Sequence, residues 1–234
     1  MEKLVTEGES RSSAPSAILF DLDGTLIDTW RLYGESYARA LEPYLGRRPT
    51  ADDFRERQPA SERKFLQAWL GEENGGACHD EMVRHYGELH GSLYDGPYEG
   101  VREMLAALRS AGYPLGIVTG KGRSAWEVTE RHLDFGTFDV VVTDDDVRAP
   151  KPAPEGLLAA ARALNIDPSE IVYVGDSEGD LRAGRGAGML VAAVLWPKTA
   201  PAEPERFLAS VAEHAPDWVF QRPADLTAAF ARWC

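Results

Sequence analysis

The 234-residue chain carries 38 acidic and 25 basic side chains, a formal net charge of −13, and 44% of it is apolar. That length supports one large domain or a domain carrying a smaller insertion, and the mixture of apolar and charged residues excludes a disordered or fibrous protein. The acid excess argues against diffuse binding to nucleic acid or an anionic membrane, and two distant cysteines, Cys78 and Cys234, offer neither a disulfide framework nor a zinc-ligand spacing.

The residues ahead of Ile18 are polar and lack the apolar run of a signal peptide, and no stretch is long enough to span a bilayer, so we expect a cytoplasmic protein with a short N-terminal tail. The first ordered element is the apolar run Ala17-Ile18-Leu19-Phe20, a buried strand stopped by Asp21 and the turn residue Gly24. A stretch from about 30 to 96 contains no strand pattern. It reads as several amphipathic helices, with Phe65, Leu66, Trp69 and Leu70 as apolar positions, interrupted by Pro43, Pro49, Pro59 and the pair Gly75-Gly76. Its flanks, Asp28 to Arg31 and Tyr94 to Pro97, read as two hinge strands.

Further apolar runs follow at Leu115 to Thr119, Val140 to Thr143, Ile171 to Gly175, Leu190 to Leu195 and Trp218 to Phe220. Helical stretches such as Val101 to Ser110 and Glu155 to Leu164, closed by Gly112 and Asn165, alternate with them. The expected fold is therefore α/β: a Rossmann-like parallel sheet flanked by helices, formed by residues 14–29 and 97–234, with an all-helical cap inserted at 30–96.

Four polar motifs each follow an apolar strand, and in an open parallel sheet those strand ends form the ligand crevice. Asp21 and Asp23 stand two apart, so both carboxylates can face one site, and a hard cation such as magnesium would hold them together. Thr119-Gly120-Lys121 offers a hydroxyl, an unhindered backbone and a cation to phosphate oxygens. Lys151 sits between Pro150 and Pro152 on a stiffened loop, and Asp176 and Asp180 flank a helix start. Taken singly, each pattern also fits a polar turn, a charged linker or a helix cap.

Taken in order, Asp21-Leu22-Asp23-Gly24-Thr25, Val118-Thr119-Gly120-Lys121, Lys151-Pro152-Ala153-Pro154 and Gly175-Asp176-Ser177-Glu178-Gly179-Asp180 resemble the haloacid dehalogenase-like hydrolases, in particular the helical-cap phosphatases. The neighbourhoods of Gly100 and Gly112 are similar to those of phosphoglycolate phosphatases and pyrophosphatases. The resemblance implies a magnesium-dependent phosphohydrolase acting on a small phosphorylated metabolite, such as phosphoglycolate or pyrophosphate, through an aspartyl-phosphate. Asp21 would be the nucleophile and Asp23 the general acid and base, with Thr119, Gly120 and Lys151 holding the transferring group. Mg2+ would be held by Asp21, the Asp23 carbonyl and Asp176, with Asp180 behind or through water. Lys121, and in the cap Arg63, are the expected substrate contacts, among Arg57, Gln58, Ser61, Glu62 and Lys64. A sugar phosphomutase of the same superfamily and a catalytically idle phosphometabolite-binding module are the alternatives. Either a monomer or a homodimer fits, and the five histidines read as ordinary surface or cap residues.

Overall fold

The computed structural model describes residues 14–55 and 61–230; the N-terminal tail, Arg57, Gln58, Pro59 and Cys234 lie outside them. Its sheet contains β1 (Ala17–Phe20), β4 (Leu115–Val118), β5 (Val140–Val142), β6 (Ile171–Gly175), β7 (Leu190–Val194) and β8 (Trp218–Phe220). The spatial order is β5-β4-β1-β6-β7-β8 and every pairing is parallel. A continuous apolar run suits β1 because it lies at the centre, covered on both faces.

Alternation along β1 divides the core. Ile18 and Phe20 face a cluster with Leu105 and Leu108 of α5 (Val101–Ser110) and with Leu226 and Phe230 of α10 (Pro223–Phe230). Ala17 and Leu19 face the opposite cluster, with Leu157 and Ala160 of α7 (Glu155–Leu164) and Ala183 of α8 (Glu178–Gly186). The chain leaves β1 toward β4 on one side and β6 on the other, so the strand order reverses at β1 and opens a crevice at its C-terminal end.

The segment without strands forms α1 (Trp30–Leu45), α2 (Ala51–Arg55), α3 (Glu62–Leu70) and α4 (Glu72–Leu93). These helices enclose their own apolar cluster, including Leu32, Leu41, Leu66, Met82 and Tyr86. Two short antiparallel strands tie the segment down: β2 (Ile27–Asp28) pairs with β3 (Gly96–Pro97). The remaining helices are α6 (Arg123–Glu130) and α9 (Glu203–Ser210).

Pro43 and the pair Gly75-Gly76, expected to interrupt helices, lie inside α1 and α4. A Cβ on Gly75 would stand 2.4 Å from Gln67 Cα, so this glycine serves close contact between α3 and α4 rather than a break. Two of the histidines expected at ordinary positions, His79 and His90, are buried in α4, where both ring nitrogens of His90 lack a partner among the described residues.

Candidate active site

Asp21 extends β1 by one residue, its N–H donating to the Val174 carbonyl at 2.9 Å. The chain then turns back on itself through Gly24, whose N–H donates to the Ile27 carbonyl at 3.0 Å. Gly24 has φ +84°, and a Cβ there would stand 2.9 Å from Asp176 Oδ1. Only glycine accommodates both the left-handed backbone and that approach. The turn places Asp23 beside Thr29, whose hydroxyl donates to Asp23 Oδ1 at 2.6 Å.

Lys151 reaches the same point from the loop ahead of α7. Its ammonium lies 2.6 Å from Asp21 Oδ1 and 2.6 Å from Asp180 Oδ1, with the Tyr173 hydroxyl at 3.0 Å. Asp180 has two duties. One oxygen meets Lys151, and the other accepts from the Ser177 N–H in a capping box at the start of α8. The helix-cap reading of Asp180 and the ion-pair reading thus hold together.

Asp176 is tied by Thr25, which donates to Oδ1 at 3.3 Å, and by Lys198, 2.5 Å from Oδ2. Lys198 follows β7, a strand end that carried no motif in the sequence. Thr119 and Gly120 line the cleft beside these groups, with Thr119 Oγ1 accepting from the Lys121 N–H at 3.1 Å.

The electrostatics of this cluster favour an added cation. Burial pushes the Asp21 carboxyl well above its ordinary range, and Asp180 and Asp176 add to the rise against the pull of Lys151. Burial likewise takes Asp176 up to about 6, against the pull of Lys198. For Asp180 burial opposes ionisation too, but Lys151, Ser177 and Tyr173 outweigh it and hold the carboxyl below the usual range. Oxygens of Asp21, Asp176 and Asp180 all lie within 4.8 Å of one another. Three crowded carboxylates facing two lysines form an all-oxygen donor set that fits a hard divalent cation.

Lys121, expected to contact substrate, points into the helical segment. Its ammonium is 2.6 Å from the Tyr33 hydroxyl, 3.0 Å from that of Tyr86 and 3.2 Å from Asp23 Oδ1, which accounts for all three of its N–H donors. Burial penalises this charge, yet Asp23, Tyr86 and Glu62 outweigh burial and keep the ammonium above its ordinary pKa. Glu62, buried at the first turn of α3, accepts from the Tyr33 hydroxyl and, at 3.2 Å, from the Gly122 N–H. Arg63 pairs with Asp80 at 3.2 Å and stays outside the cleft lining, while Lys64 donates to the Arg148 carbonyl at 3.0 Å. The cleft above Asp21 has a volume of about 870 Å³, with Asp23, Lys151 and Ser177 on its core side and Tyr33, Tyr37 and Phe54 on its helical side.

A six-stranded parallel sheet with a carboxylate pair, a lysine and further acids at its central strand ends defines a hydrolase of the α/β type. The haloacid dehalogenase-like hydrolase family model matches residues 18–194, and the chain belongs to that family. It is 37% identical over 215 residues to the pyrophosphatase PpaX of Bacillus velezensis, covering 90% of this chain and 94% of that protein. The structure is similar to that of a predicted phosphoglycolate phosphatase from Haemophilus somnus, with a TM-score of 0.76, 22% identity and coverage of 94% and 99%, a likeness of fold. CbbY from Rhodobacter sphaeroides in complex with phosphate follows at a TM-score of 0.68 and 25% identity, over 77% of this chain and 86% of that one.

Proposed function

We propose that this enzyme is a magnesium-dependent phosphohydrolase that cleaves a small phosphorylated metabolite through an aspartyl-phosphate on Asp21. The observation that carries the reading is the Asp21 carboxylate itself, held at one oxygen by Lys151 at 2.6 Å and lying at the foot of an open cleft. The other oxygen is free to attack phosphorus. As the new P–O bond forms and the ester bond breaks, Asp23 gives its proton to the leaving oxygen. Asp23 then takes a proton from water, whose oxygen attacks phosphorus and releases Asp21 and inorganic phosphate. Thr29 and Lys121 fix the Asp23 carboxylate for both transfers. Thr119 and the Gly120 N–H hold the phosphoryl oxygens, and Lys151 offsets their growing charge.

Asp21, Asp176 and the Asp23 carbonyl would hold Mg2+, with Asp180 behind them; the ion supplies charge neutralisation for the incoming phosphate. In this reading residues 14–29 and 97–234 are the catalytic core and 30–96 the cap that shields the leaving group from water. Pyrophosphatase and phosphoglycolate phosphatase relatives support a small substrate. The test is phosphate release from a panel of small esters and pyrophosphate, with and without magnesium, by the native chain and Asp21→Asn. Magnesium-dependent release lost in the variant is expected. A product that keeps its phosphate at a new position would instead indicate a mutase.

A further inference from the structure

The helical segment converges on one ammonium that comes from the sheet side of the cleft. Lys121 follows β4 with its side chain fully buried, and the rings of Tyr33 on α1 and Tyr86 on α4 lie 4.2 and 4.5 Å from its Nζ. The direction of the hydrogen bonds around it is fixed. A tyrosine hydroxyl has a single hydrogen, and Tyr33 donates its own to Glu62 Oε1 on α3, so its lone pairs are left to accept from Lys121 at 2.6 Å. The other Glu62 oxygen accepts from the Gly122 N–H at 3.2 Å and lies 3.4 Å from His79 Nε2. Lys121 gives its remaining hydrogens to the Tyr86 hydroxyl at 3.0 Å and to Asp23 Oδ1 at 3.2 Å. A buried ammonium that lost one of these acceptors would shift to regain it, and Asp23 would shift with it. Thr29 donates to the same Asp23 oxygen at 2.6 Å, so both anchors fall on Oδ1 and the second oxygen is the one left to carry a proton into the cleft.

We propose that Tyr33 and Glu62 are positioning residues for the acid step: acting through Lys121, they hold Asp23 where it can protonate the leaving oxygen, so that the acid is set only while the helical segment is seated. This inference rests on the phosphatase reading and adds to it two residues from the helical segment. Two substitutions of similar volume break the chain at different links. Tyr33→Phe removes an acceptor from Lys121. Glu62→Gln leaves a single side-chain oxygen, which cannot accept from both the Tyr33 hydroxyl and the Gly122 N–H.

The test is the dependence of kcat/KM on the leaving group, measured in magnesium with p-nitrophenyl phosphate and benzyl phosphate. The nitrophenolate departs without a proton, whereas the benzyl alkoxide needs one. The ratio of the two values is expected to rise most in Asp23→Asn and by roughly tenfold in Tyr33→Phe and in Glu62→Gln, a part of the ~10²–10⁴-fold that general acid–base catalysis supplies. A variant that is partly misfolded turns over both esters more slowly by the same factor and leaves the ratio unmoved. A ratio that rises in Asp23→Asn but stays at its native value in Tyr33→Phe or Glu62→Gln would overturn the positioning role and leave Asp23 as the acid. One that is unmoved in Asp23→Asn as well would overturn the acid assignment and the proposal with it. No release from either ester by the native chain would overturn the phosphatase reading itself.

Discussion

Gly24 shows how little freedom the site leaves a single residue. Its φ of +84° strains any side chain, and the added methyl would press on Asp176 Oδ1. Gly24→Ala should destabilise the fold by about 1–2 kcal/mol and weaken magnesium binding, read by thermal denaturation and by calorimetric titration. Lys198 acts on the same carboxylate with the opposite sign. Its ammonium, 2.5 Å from Asp176 Oδ2, neutralises charge that a cation would otherwise use. Lys198→Met should therefore tighten magnesium binding severalfold, and a weaker titration would show that Lys198 organises the carboxylates rather than competing for them. Asp21, Asp23 and Asp176 could be located in the sequence because each closely follows an apolar run that marks a strand end, whereas Lys151 was marked by its flanking prolines and Asp180 by a helix start. Lys121 could not be assigned so easily. Its partner Tyr33 is 88 residues away on a helix whose orientation no local pattern gives, so the buried link that its ammonium makes between the two parts of the chain has no local sign.

At the scale of elements, the sheet was readable for the same reason that it is stable. Buried parallel strands are continuous apolar runs, and β1, β6 and β8 fall where those runs fall. The helical segment was harder to divide. Glycine normally signals a break, but Gly75 is a contact point, with a virtual Cβ only 2.4 Å from Gln67 Cα. Gly91, in the same helix, has nothing within 4 Å of its virtual Cβ. The two positions make a paired experiment. Gly75→Ala should force α3 from α4 and cost about 2 kcal/mol or more, as overpacking does, whereas Gly91→Ala should stabilise by about 0.5–1 kcal/mol through helix propensity. Chemical denaturation of both variants checks the contrast; equal effects would mean that helix propensity, not contact, governs α4.

Across the whole molecule, the helical segment meets the core away from the cleft as well as beside it, and one contact there should make stability depend on pH. His90, on α4, stacks on His132 beyond α6, with ring centroids 3.9 Å apart and an interplanar angle of 21°. Tyr94 packs against the same imidazole, tilted, at 4.6 Å. Burial pushes the His90 imidazole down from its ordinary 6.5 to about 4, and the neighbouring His132 and Lys121 add to the effect. The unfolded chain then binds a proton at His90 that the folded chain refuses. Above about pH 6.5 the residue is neutral in both states and this contribution to stability is fully present; between 6.5 and 4 the unfolded state gains the proton and stability falls. Asp21 and Asp176, whose carboxyls are raised, shift stability the other way as pH falls, so the total curve mixes both signs. His90→Phe keeps an aromatic ring in the stack and removes only the titration. Denaturant unfolding at a series of pH values should give a shallower acid loss for the variant, with the two curves separating below pH 6.5. Parallel curves would mean that His90 takes a proton in the folded state as readily as in the unfolded one, and that the joint between the helical segment and the sheet's helices opens enough to hydrate it.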